Sequence, residues 1–179
     1  MTSVQLTDAG RIRIDFEPDE ATMLADLAGQ VADLITDAPH DSAFTRLFPP
    51  AYRDDSAAAA EFERFERAGL AEGKVNAART VHAAASVGEL DPGEVVEVEL
   101  DDDDVWPWLT HLTDVRSVLA DRLGIEDDDS EIEPDDELLT LLPLYDWLGW
   151  LQGAIIAALE SLESLESLEG GEGGGGAAD

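Results

Sequence analysis

The 179 residues carry 42 acids against 10 bases, a formal charge of −32, in a chain long enough for one cored domain and too short for two. No cysteine is present, which excludes disulfides, thiolate chemistry and a cysteine-based zinc site. Self-repulsion at this charge density is costly unless salt screens it, and the acids are spread along the whole chain. We therefore expect adaptation to a salty cytoplasm, with a surface made for a basic partner as the competing reading.

The first fifteen residues lack the apolar stretch of a signal peptide, so a cytoplasmic protein is expected. Val4–Leu6 and Arg11–Phe16 alternate apolar and polar residues around Asp8-Ala-Gly10, the period-two pattern of a hairpin. Ile12, Ile14 and Phe16 then face a core. Glu17-Pro-Asp-Glu20 opens a helix, with proline in its first turn and acids at the positive end of its dipole. Met23, Leu24, Leu27, Val31, Leu34 and Ile35 continue its apolar stripe.

Asp41 or Ser42 caps a short helix with Phe44, Leu47 and Phe48 on its apolar side, and Pro49-Pro50 ends it. Ser56 and four alanines start a further helix that runs to about Ala85, with a bend expected near Gly69 and Gly73. Arg53, Arg64, Lys74, Arg67 and Arg79 cluster here. Glu94–Leu100 alternates strictly over Val96, Val98 and Leu100 and is expected to pair with the Ile12–Phe16 strand.

Asp101–Asp104 follows at once. Four acids suggest a cation, yet helix capping explains them more cheaply, and no metal is expected. The helix from Val105 to Leu123 stops at Gly124. The acidic stretch from Glu126 to Glu137 lacks the central glycine of a calcium loop.

Thr140–Leu159 holds two of the four tryptophans, six leucines and two isoleucines. It reads as a helix apolar on most of its circumference, expected to be the buried centre of the molecule. Gly149, Gly153 and Ala157 make a small-residue stripe, and Asp146 is its lone acid. Arg116 is likewise a lone charge among apolar turns, so an Arg116–Asp146 ion pair between the two helices is expected. The rival is an open groove lined by Asp146, Trp147 and Trp150. Interruptions by Asp146, Gln152 and two glycines make this a core helix and not a membrane span. Three Ser-Leu-Glu repeats and a glycine-rich end follow, a weakening helical extension and then flexible linker.

The expected architecture is mostly α: a helical bundle around the C-terminal helix, with a small antiparallel β element near 4–6, 11–16 and 94–100. Residues 1–160 form one domain and 161–179 a low-complexity tail.

The segments Phe48-Pro-Pro-Ala-Tyr-Arg-Asp-Asp55, Ala77-Ala-Arg-Thr80, Trp108-Leu-Thr-His-Leu-Thr-Asp-Val-Arg116, Arg122-Leu-Gly124 and Leu144-Tyr-Asp-Trp-Leu-Gly-Trp-Leu-Gln152 stand in an informative order. Together they resemble the AosR family of actinobacterial oxidative-stress transcriptional regulators, over about residues 10 to 160. The resemblance implies a mostly helical, non-enzymatic protein working through a transcription factor or the polymerase. It also implies gene placement near the Clp adaptor ClpS, hence an adaptor-like alternative. Its specific motifs mark Tyr145, Asp146, Trp147, Trp150 and Gln152, with Tyr52 and Arg53, as interaction or core residues, and Arg116 joins them. Without cysteine, thiol sensing is excluded here.

A hydrolase is the least favoured class: no Gly-x-Ser-x-Gly or His-Glu-x-x-His occurs, and His40, His82 and His111 are scattered. No cofactor is expected. Direct nucleic-acid binding needs a basic face, which the overall field opposes. A domain that binds another protein remains.

Overall fold

The computed structural model describes residues 1–49, 66–86, 88, 94–125 and 140–171. Strands β1 (Ser3–Leu6) and β2 (Ile12–Phe16) form the expected hairpin, Val4 opposite Ile14 and Leu6 opposite Ile12. Gly10 turns it at φ 72°, a left-handed conformation that glycine adopts without a Cβ penalty. Strand β3 (Val96–Leu100) pairs antiparallel with the other edge of β2, placing Val98 opposite Ile14 and giving the order β1-β2-β3. Alternation buries Ile12, Ile14, Phe16, Val96, Val98 and Leu100 on one face. The other face carries ion pairs, Arg13 with Asp15 along β2 and with Glu97 on β3, and Arg11 with Glu99.

Helix α1 (Pro18–Asp37) begins where Glu17 N–H donates to Glu20 Oε2 at 2.9 Å. Its buried side is richer in alanine than the leucine stripe suggests: Ala21, Ala25 and Ala28 are buried with Leu24, Val31 and Ile35. These small residues let α3 (Arg67–Ala85), with buried Ala77, Ala78 and Ala85, pack along α1. Gly69 and Gly73 lie inside α3, which the structure assigns as one helix through both. Short α2 (Ser42–Leu47) is capped by Asp41, whose carboxylate accepts from Ala43 N–H at 2.9 Å.

Helix α4 (Asp102–Leu123) packs on α1, α2, α3, α5 (Leu142–Gly171) and β3. It is the hub. Trp108, Leu112 and Val115 are fully or almost fully buried along it, and Phe16 stacks on Trp108 with ring centroids 6.2 Å apart. Helix α5 instead lies over α4 and the β1–β2 strands. The expected class, mostly helical with a three-stranded antiparallel sheet, is what is found. The position of its most apolar helix differs. Among the described side chains of α5 only Leu148, Leu151 and Ile155 are fully buried, while Trp150 and Ile156 stand 48 % and 40 % exposed. The reason is neighbour number: an apolar helix with protein on one side buries one stripe, however apolar the rest.

Candidate functional site

Arg116 rises from the α5-facing side of α4 into a trough along α5. Its guanidinium lies over the Tyr145 ring, 4.8 Å from the centroid, and flat across Gly149. A Cβ built on Gly149 would stand 3.4 Å from three guanidinium atoms at once, so a larger side chain there displaces the group. Nη1 donates to Gln152 Oε1 at 2.8 Å and Nη2 to the Tyr145 hydroxyl at 3.3 Å. Gln152 is itself held, Nε2 donating to Thr113 Oγ1 at 2.8 Å. Tyr145, Gly149 and Gln152 recur at helical spacing, which puts them on one stripe. Arg116, three residues after Thr113, reaches it from the facing helix.

The expected Arg116–Asp146 pair does not form. Asp146 is exposed and makes no ion pair among the described residues, because its position faces away from α4, toward solvent. Among the described residues Arg116 therefore has only neutral partners. By contrast Arg11, Arg13, Arg46, Lys74 and Arg122 each meet a carboxylate. Arg79 also lacks one, but it stands in solvent. Arg46 of α2 pairs with Asp121 at 3.2 Å, donates to the Ile125 carbonyl at 2.6 Å, and enters the same recess as Arg116. That recess, about 240 Å³, is lined by both arginines with Thr113, Ser117, Tyr145 and Gln152.

The other expected residues separate. Trp147 turns inward, edge-on to Phe16 at 6.4 Å, and its indole N–H donates to Thr2 Oγ1 at 3.2 Å. Thr2 in turn donates to Glu20 Oε2 at 2.7 Å. Burial pushes the Glu20 carboxyl upward, but the Glu17 N–H and the Thr2 hydroxyl outweigh it and hold the group below its ordinary value. Trp147 is thus a tie between α5, the N-terminus and α1. Trp150 points outward. Tyr52 and Arg53 lie outside the described residues. Arg46 had no distinguishing signal in the sequence, since only tertiary packing brings it beside Arg116.

A buried polar row runs along the α3-facing side of α4. Lys74 Nζ donates to Asp114 Oδ1, but Asp114 Oδ2, both ring nitrogens of His111 and Trp108 Nε1 have no hydrogen-bond partner among the described residues. Burial lowers the His111 pKa to about 4, so its imidazole is neutral at pH 7. Burial also raises that of Asp114, with Lys74 opposing. His82 Nδ1 lies 2.9 Å from the Ala25 carbonyl. Neither histidine is hydrogen-bonded to a nucleophile or carboxylate among the described residues. No group of three or more metal-binding side chains occurs among the described residues, and no described helix is long and apolar enough to cross a membrane.

A family model described as "Domain of unknown function (DUF2017)" matches residues 1–159. No curated protein and no solved structure matches the chain.

Proposed function

The chain belongs to the DUF2017 family, and on that footing we propose that it is a non-enzymatic regulatory domain that binds another protein through the outer face of α5. The observation that carries this reading is the exposure of Trp150 and Ile156 together on α5, at 48 % and 40 %. Gly153 stands between them with nothing within 4 Å of where a Cβ would be. A bare aromatic and aliphatic face beside a fixed arginine has the composition of an interface hot spot, where tryptophan, tyrosine and arginine dominate. The resemblance to AosR-type regulators makes the transcription machinery the expected partner. An adaptor role in Clp-linked proteolysis is the runner-up, and hydrolysis is disfavoured because the rings of His82 and His111 are hydrogen-bonded to no nucleophile or carboxylate among the described residues.

The test is capture from a high-salt lysate with the full chain and with Trp150→Ser and Ile156→Ser variants of unchanged melting temperature. The proposal expects a transcription-machinery component on the wild-type chain and at least about tenfold less on each variant, the loss typical of one hot-spot residue. A Clp component lost in the same way would install the runner-up. Equal capture by all three proteins would remove the docking face altogether.

A further inference from the structure

We propose that the recess between α4 and α5 is an oxyanion site that takes a carboxylate group on the Arg116 guanidinium, with Arg46 beside it. Arg116 is half-buried and meets no carboxylate among the described residues, in a chain with 42 acids of which five other described bases have each found one. Its pose needs no anion to hold it. The Tyr145 ring, the Gly149 backbone and the Gln152 amide fix the plane of the fork, and Thr113 fixes Gln152. A fork already immobilised loses little further freedom when a ligand arrives.

The donor inventory leaves room for that ligand. A guanidinium carries five N–H groups; Arg116 spends one on Gln152 and one on Tyr145, and its Nε–H is buried, which leaves one N–H on each Nη nitrogen. The Tyr145 oxygen accepts from Arg116, which frees its own O–H to donate. Ser117 completes a lining that holds no acid among the described residues, the carboxylate of Asp121 being taken by Arg46. At about 240 Å³ the recess is smaller than the roughly 300–1,000 Å³ of drug-sized ligand sites, so it suits a side-chain-sized group. A planar monoanion matches the fork with two parallel hydrogen bonds. A more highly charged phosphate would be repelled more strongly by the net charge of −32. The carboxylate comes either from a free small acid or from an acidic side chain of a bound peptide. The site does not depend on the Trp150 face, so the two proposals fail separately.

Titration of the full chain followed by NMR on the arginine Nε–Hε signals tests it, at ionic strength held constant with potassium chloride. The Nε of Arg116 is buried and shielded from exchange, which favours observing it. The probes are acetate, an acetylated and amidated Ala-Glu-Ala peptide, its Ala-Gln-Ala counterpart, and inorganic phosphate. We expect saturable shifts of the Arg116 signal with a carboxylate probe and none with the glutamine peptide. Saturation by acetate alone identifies a free acid as the source, and saturation by the glutamate peptide identifies a side chain. In Arg116→Lys, which keeps the charge but loses the fork, binding read at the Arg46 Nε–Hε signal should weaken about tenfold or more with the fold intact. Three results overturn the proposal: saturation by phosphate but not by carboxylates, linear shifts shared with exposed Arg79, or unweakened binding in a folded Arg116→Lys protein.

Discussion

His111 is completely buried, and neither of its ring nitrogens has a partner. Its folded pKa of about 4 lies below the ordinary 6.5, so between these values the unfolded chain holds a proton that the folded chain excludes. Stability is therefore full above pH 6.5 and falls as the pH drops toward 4, by about 3 kcal/mol at 1.36 kcal/mol per pKa unit. Asp114, with its pKa raised by burial, acts in the opposite sense, since the folded state takes up its proton before the unfolded one does. Glu20 and Asp41 are held low, Asp41 chiefly by Arg122, so their contributions are lost only as the pH falls below the ordinary carboxylate range. His111→Leu should flatten the stability profile between pH 6.5 and 4 by about 3 kcal/mol relative to wild type. Urea melts across that range read it directly. An unchanged slope in the variant would assign the titration to another group.

The four acids at the start of α4 behave as a helix terminus. Asp101 Oδ1 accepts from Asp103 N–H at 3.0 Å and from Asp104 N–H at 3.2 Å, and Asp102 to Asp104 occupy the first turn. These bonds satisfy two of the amides that a helix start leaves without partners. Asp101→Ala should cost about 1 kcal/mol in denaturant melts, the usual worth of such a cap, and Asp103→Asn distinctly less. Equal losses from the two changes would argue against the cap. At the other end Gly124 adopts φ 70° and its N–H reaches the Ala120 and Asp121 carbonyls, the stop that the sequence led us to expect. Helix α5 is the element whose surroundings were misjudged. Its apolar circumference implied a central position, but α4 holds that place, touching four helices and a strand.

Across the molecule, described cations are mostly consumed by ion pairs, yet these neutralise few of the 42 acids. Apart from Lys74 with the buried Asp114, these are exposed or half-exposed pairs worth about 0–1 kcal/mol each, too little to offset the repulsion among the remaining carboxylates. The proposed adaptation to salt therefore makes a simple demand. The melting temperature should rise by several degrees between about 0.1 and 1 M potassium chloride, where the Debye length shortens from about 10 to 3 Å. Equal melting temperatures in the two buffers would remove the salt-adaptation reading and leave the acidic surface to a basic partner.

Periodicity, capping residues and glycine stops determined the hairpin, the third strand and the course of α1, α4 and α5, because those signals are local and act within a few residues of themselves. Val96, Val98 and Leu100 declared a buried face, and Asp101 declared a helix start, without reference to anything distant. The partners of Arg116 were a different matter. The sequence marks Arg116 and Asp146 alike as lone charges among apolar residues, and pairing them is the natural inference. Which way each points depends on the rotation of α5 against α4, and that rotation is set by burying Leu148, Leu151 and Ile155 together. It carries Tyr145, Gly149 and Gln152 to Arg116 and leaves Asp146 in water. Arg46, seventy residues earlier in the chain, joins the same recess only because α2 also packs on α4. Hydrophobic packing, which has no memory of sequence distance, decided the site that local pattern could not.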